Sequence, residues 1–267
     1  MKTTMKLSGG YTNYGETIGI LMLDTKFPRP RGDIGNALSY EFPVRYKIVH
    51  GAHATKIMGD HPDASLLEPF VVAAQELEAD GVKAITTSCG FLAPFQKQLA
   101  AAVNIPVFTS SLIQAPLIHA MAPPGKIIGV FTERGHHMND GHFRGVGWSR
   151  DDIPVQIQGM KPDAQFPAAY ILGREELDTD VLRAEMVEMT QAFIASCKNP
   201  GAILFECTNM CPFAKDVANV SGLPVFDINT MINFFYRAAN QVPFLQSGGV
   251  KSDTPFRQSG FRSNQVP

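Results

Sequence analysis

The sequence predicts an α/β protein of two pseudo-symmetric lobes, each a parallel sheet flanked by helices, with an active site in the cleft between them. Three observations carry this. Gly81 to Phe108 reads strand, tight turn, amphipathic segment, turn and strand, the pattern of a parallel crossover. Gly201 to Phe226 repeats that unit. Cys89, Pro94, Phe95, Pro106, Val107 and Phe108 recur as Cys207, Pro212, Phe213, Pro224, Val225 and Phe226, all at one offset of 118 residues. Upstream, Ile18-Gly19-Ile20 is echoed by Ile128-Gly129-Val130, each opening a strand after a polar approach. Two cysteines therefore hold the same place in two halves, where a strand hands over to a helix and open parallel sheets bind their ligands.

In chain order, residues 1–16 form a polar lead-in, 17–121 the first lobe, 122–242 the second and 243–267 an extended tail. Thr17 to Leu23 is an apolar strand that exits at Asp24-Thr25. Lys26 to Asn36 holds two prolines and two glycines and is a loop. Its Arg29 and Arg31 suit an anionic substrate or a solvated surface equally. Val44 to Val49 alternates as a strand, and Ala64 to Ala79 has helical apolar spacing with Pro69 near its start. Leu112 to Met121 is a second helical stretch before the joint Ala122-Pro123-Pro124-Gly125. The second half opens with the strand Lys126 to Phe131, exits at Thr132-Glu133-Arg134, and adds a short strand at Val155 to Gln158 and a helix at Asp180 to Cys197. Ile228 to Ala239 is a closing helix, counted with the second lobe, with packing back on the first as the alternative. The Gly-, Ser-, Pro- and Gln-rich tail lacks periodicity and is expected to be disordered or strapped to a neighbouring subunit.

Bulk composition narrows the function. The formal charge of −2 gives no electrostatic case for nucleic acid or an anionic membrane surface. No apolar run is long enough to span a bilayer, and no apolar stretch follows the N-terminal lysines, so a cytoplasmic protein with reduced thiols is expected.

A cysteine ahead of a helix N-terminus is expected to favour its thiolate. Two of them, facing each other across a pseudo-twofold axis, could remove a proton from a carbon on one side and return one on the other. Cys197, near a helix end, has no counterpart in the repeat. Cys211 makes a Cys-x3-Cys with Cys207, and His136, His137 and His142 lie in one loop. That spacing is a weak metal signal, and the expected site holds no metal.

The duplicated halves with TTSCGF and FECTNM resemble the aspartate/glutamate/hydantoin racemase superfamily, over residues of about 17 to 240. Cys207-Thr208 matches that family's Gly-Cys-Thr, with Glu206 in place of the glycine. Cys89-Gly90-Phe91 departs from its Cys-Asn-Thr or Cys-Asn-Ser, whose Asn and hydroxyl hold a substrate carboxylate. The resemblance implies an isomerase: a cofactor-independent amino-acid racemase or epimerase with Cys89 and Cys207 as the acid–base pair. The substrate carboxylate would meet Asp24, Arg31, Ser88, Gly90, Phe91, Thr132, Thr208 and Asn209, with Thr87 compensating near Ser88. Glu133 is read as an ordinary loop carboxylate. Alternatives are a maleate-isomerase-like or arylmalonate-decarboxylase-like enzyme using one cysteine, or a small-molecule binding protein. The expected partner is a small carboxylate, and a homodimer is consistent with a cleft site and a long tail.

Overall fold

The computed structural model describes residues 9–242; the proposed tail, 243–267, lies outside them, as does the start of the lead-in. Among the described residues eight strands form two sheets. In chain order β1 (Ile18–Leu23), β2 (Val44–Val49), β3 (Ala84–Thr87) and β4 (Val107–Phe108) form the first. β5 (Ile127–Thr132), β6 (Val155–Gly159), β7 (Pro200–Phe205) and β8 (Val225–Phe226) form the second. Their orders, β2-β1-β3-β4 and β6-β5-β7-β8, are identical, and every pairing is parallel. β1 and β3, like β5 and β7, are neighbours, so each cysteine turn leaves its sheet beside the exit of that lobe's first strand.

Among the described residues nine α-helices accompany the strands: α1 (Ala54–Ile57), α2 (Leu67–Ala79), α3 (Gln96–Ala102), α4 (Ala115–Met121), α5 (Asp140–Gly145), α6 (Gln165–Tyr170), α7 (Thr179–Ser196), α8 (Ala214–Ser221) and α9 (Ile228–Ala239). The apolar periodicity marks α2 and α7, and Pro69 falls in the first turn of α2, where its missing N–H costs nothing. The short α1, α5 and α6 carry too few turns to show a period. After each cysteine the chain first makes a 3-10 turn, Gly90–Phe95 and Thr208–Phe213, and only then an α-helix. The proline inside each turn, Pro94 and Pro212, removes the amide that an α-helix would need to start earlier.

The Ile-Gly echo has a packing cause. A Cβ on Gly19 would lie 2.9 Å from Leu77 of α2, and one on Gly129 would lie 2.5 Å from the ring of Phe193 on α7. Each lobe presses its long helix onto its first strand at a glycine. The core does not respect the lobe boundary. One apolar cluster joins Leu21, Ile85 and Phe91 of the first half to Val130, Phe143 and Leu204 of the second. α9 closes the chain by packing on the first sheet, with Ile228 and Ile232 against Ile18, Ile20 and Phe108, and Tyr236 stacked on Phe42 at 3.5 Å. Asp227 caps that helix, its side chain accepting from the Thr230 amide while the Thr230 hydroxyl accepts from the Asp227 amide.

Candidate active site

The two cysteine turns meet across the lobes. The Thr208 hydroxyl donates to the Ser88 carbonyl at 2.7 Å, and the Ser111 hydroxyl donates to the Phe205 carbonyl. Between them lies a small cavity of about 20 Å³, lined by both Cys89 and Cys207. Ser88, Gly90, Thr208 and Asn209 share its wall with Glu133, Glu206 and Tyr170. Leu23, Phe27, Ala54 and Met58 cover it with apolar surface. A space of this size holds about one water.

The two sulfurs differ in their surroundings. Cys207 Sγ lies 3.8 Å from Glu133 Oε2 and 3.9 Å from Asn209 Oδ1, both acceptors. The Asn209 amide nitrogen donates to Asp33 Oδ2 at 2.8 Å, which fixes the side chain with its oxygen toward the sulfur. Asp33 is fully buried, paired with Arg29 at 2.6 Å, and also accepts from the Gly35 amide. Arg29 in turn donates to Thr25 and lies 4.5 Å over the Phe27 ring. A loop of the first lobe thus orients the cysteine of the second. For Cys89, no side-chain acceptor is found among the described residues; its turn is closed by the Thr87 hydroxyl, which donates to the Cys89 carbonyl at 3.0 Å.

Electrostatics correct the expectation of resting thiolates. Burial pushes both thiols up. The carboxylates add to this, Glu206 and then Glu133 for Cys89, and Glu133 and then Glu206 for Cys207. The amides of Phe91 and Asn209, at the starts of the 3-10 turns, pull in the thiolate's favour but are outweighed. The carboxylates are raised too: Glu133 by burial and by Glu206, and Glu206 by burial to about 8, against the pull of the Thr132 hydroxyl. Among the described residues Glu133 Oε1, Glu206 Oε1 and the Tyr170 hydroxyl have no hydrogen-bond partner.

Several expected binding residues lie elsewhere. Asp24 is not on the cavity; its carboxylate accepts from the Gly51 amide and faces His50, an ordinary loop closure. Arg31 is exposed, while Arg29, two residues earlier, lines the wall. Phe91 is fully buried against His142 rather than in the pocket. Thr132 does not line the cavity but holds Glu206 through a 2.6 Å hydrogen bond. Glu133, read as a bland loop carboxylate, is the neighbour of Cys207. Cys211 sits among Ile18, Ile20 and Ile228, away from the cavity. His142 closes the capping box of α5, and burial holds its pKa down at about 4. Among the described residues no group of three or more His, Cys, Asp or Glu is placed to hold a metal. No helix among them is long and apolar enough to cross a membrane.

Two parallel lobes with paired cysteine turns define the fold of the aspartate/glutamate/hydantoin racemase superfamily. Aspartate racemase from Picrophilus torridus superposes with a TM-score of 0.55 at 14% identity, covering 84% of this chain and 94% of its own. A glutamate racemase from Bacillus anthracis gives a TM-score of 0.53 at 13% identity, over 84% and 83%. No family model matches the sequence. At the level of sequence the relatives are different enzymes. A dimethylsulfoniopropionate lyase from Durusdinium sp. clade D is 30% identical over 227 residues, 83% of this chain and 74% of the relative. Dimethylsulfoniopropionate lyase 7 from Emiliania huxleyi is 30% identical over 235 residues, 85% and 68%. The chain belongs to the dimethylsulfoniopropionate lyase family. The expected amino-acid racemase, and with it the isomerase class, is overturned by these relatives: the fold is a racemase's, and the named relatives are lyases.

Proposed function

We propose that this protein is a lyase that cleaves dimethylsulfoniopropionate, or a close sulfonium carboxylate, by proton abstraction at the carbon next to the carboxylate. The observation that carries the reading is the contact of Cys207 Sγ with Glu133 Oε2 at 3.8 Å, inside the cavity that both thiols line. A thiol beside a carboxylate is a base in waiting. Arrival of a fixed positive charge in a buried site favours the ionised forms that burial suppresses.

The steps balance with side chains of this chain. Cys207 passes its proton to Glu133 as the cationic substrate binds. The thiolate then takes a proton from the carbon next to the carboxylate. The C–H electron pair becomes the new C=C bond, and the C–S bond breaks with its pair on sulfur. The products are acrylate and neutral dimethyl sulfide, and the abstracted proton rests on Cys207. The N-terminal ends of the two 3-10 turns offer amide donors to the substrate carboxylate, which acidifies the adjacent carbon. Asn209 and Thr208 line the cavity there, with Ser88 and Gly90 beside them. Cys89 contributes to the wall without a required proton.

The test is direct. Purified protein given dimethylsulfoniopropionate should release dimethyl sulfide and acrylate in equal amounts, followed by headspace gas chromatography and by absorbance of the alkene. C207S should abolish release. A folded wild-type protein that releases neither product overturns the reading.

A further inference from the structure

Glu206 and Gly90 occupy each other's space across the lobe boundary. Glu206 follows β7, is 1% exposed and lies on the cavity wall. Its Oε2 is held by the Thr132 hydroxyl at 2.6 Å, while its Oε1 has no hydrogen-bond partner among the described residues. A Cβ built on Gly90 would sit 2.3 Å from that Oε1 and 2.3 Å from the Glu206 carbonyl oxygen, closer than any side chain tolerates. The carboxyl therefore fits only because position 90 has no side chain. The same cavity wall carries the apolar and aromatic groups of Leu23, Ala54, Met58, Phe27 and Tyr170, the last two edge to face at 4.9 Å, together with the charged side chains of Arg29 and Glu133.

This combination suits a cation. Among the described residues Glu206 Oε1, Glu133 Oε1 and the Tyr170 hydroxyl, all on this wall, have no hydrogen-bond partner. An onium head bearing only methyl groups donates no hydrogen bond. It asks for a counter-charge, apolar contact and an aromatic face. Glu133 has its Oε2 turned to Cys207, whereas Glu206 is held by a residue with no other part in the site.

We infer that Glu206, admitted by Gly90 and held by Thr132, is the counter-ion for a methylated onium centre, and that it sets the site's selection of onium carboxylates over their neutral counterparts. This rests on the lyase reading for the location of the site, and it specifies which end of the substrate Glu206 meets. The Glu206 carboxyl, poised at about 8 by burial, then ionises on binding at neutral pH.

The experiment uses binding without turnover. Isothermal titration calorimetry compares 3-(trimethylammonio)propionate with its neutral carbon isostere, 3-tert-butylpropionate, on the full chain. The wild type should prefer the ammonium ligand by roughly 30-fold, the equivalent of about 2 kcal/mol for a buried charge pair. E206Q should lose most of that preference while holding the neutral isostere as tightly as the wild type, which also shows its site intact. T132V, which frees Glu206 without removing its charge, should lower the preference several-fold, and it decides the matter if E206Q does not fold. Equal preference in wild type and variants, or binding of neither probe, overturns the inference. A protein that selects the ammonium probe through Glu206 yet releases no dimethyl sulfide refutes the lyase reading and leaves this one standing. Release of dimethyl sulfide with unchanged preference in E206Q does the reverse.

Discussion

The two cysteine turns share a backbone and differ in what surrounds the sulfur. Both follow a parallel strand, both open a six-residue 3-10 turn with proline at the fifth position, and both thiols are buried. Yet Cys207 Sγ has a carboxylate and a locked amide oxygen within hydrogen-bond reach, whereas among the described residues Cys89 feels the Glu206 carboxyl without a side-chain acceptor at its sulfur. The proposed elimination accounts for this. Inversion at carbon needs a proton taken on one face and given on the other, so both lobes must be equipped alike. Elimination of a neutral sulfide needs one proton taken and none given, because the leaving group departs without charge. A duplicated fold can then keep the geometry of two thiols while only one retains an acid–base partner.

The largest expected effect tests that asymmetry. C207S should lower kcat for dimethyl sulfide release by about 10³-fold or more, and C89S by no more than about tenfold, the range that separates a general base from a wall residue. Equal losses would restore a symmetric two-thiol mechanism. Next, D33N removes the charge that pairs Arg29 and orients Asn209. It should cost about 3 kcal/mol in denaturant-measured stability and lower kcat, because Asn209 no longer presents its oxygen to Cys207. A stability loss with unchanged kcat would show that the first-lobe loop only fastens the lobes together.

E133Q should reduce kcat by about 10²-fold with little change in KM and remove the limb of the pH–rate profile that Glu133 supplies. Unchanged kcat and pH profile would leave Cys207 without a proton acceptor. The last effect is on stability against pH. Glu206 is raised to about 8 in the fold, above its unfolded value, so the folded state holds its proton more tightly. The resulting stability is present below the unfolded pKa and is lost as pH rises toward 8, by at most about 1.4 kcal/mol per pH unit. Glu133, Cys89 and Cys207 face the same cavity and titrate beside it. E206Q should match the wild type near pH 4.5 and exceed its melting temperature increasingly toward pH 8. Parallel curves for the two proteins would place the Glu206 charge in solvent.

The fold and the two cysteines were legible because their signals are local: strand, turn, proline and helix recur in register at one offset, and Ile-Gly-Ile marks where a helix presses on a strand. Glu133 and Asp24 show where that reading ends. Both lie at the exit of a first strand, both beside a cysteine turn in the sheet order. Asp24 is captured by the Gly51 amide one loop away, while Glu133 is left facing a sulfur. Nothing within either stretch decides which outcome follows, since the captor lies in another segment. Asp33 was hidden for the same reason, as one polar residue in a Pro- and Gly-rich loop whose partner, Asn209, is 176 positions away. The proposed substrate was hidden more deeply still, because neither departure from the racemase pattern at the cysteines names a substrate by itself. The departures that distinguish this chain, Gly90 and Glu206, gain meaning only when seen as a touching pair.

That pair also constrains history. A Cβ at position 90 would meet the Glu206 carboxyl and, just as closely, the Glu206 backbone carbonyl. Glutamate could therefore enter at 206 only where position 90 was already glycine, and the return of a side chain at 90 requires the backbone at 206 to shift as well as the carboxylate to leave. A library that randomises position 90 alone is expected to recover glycine.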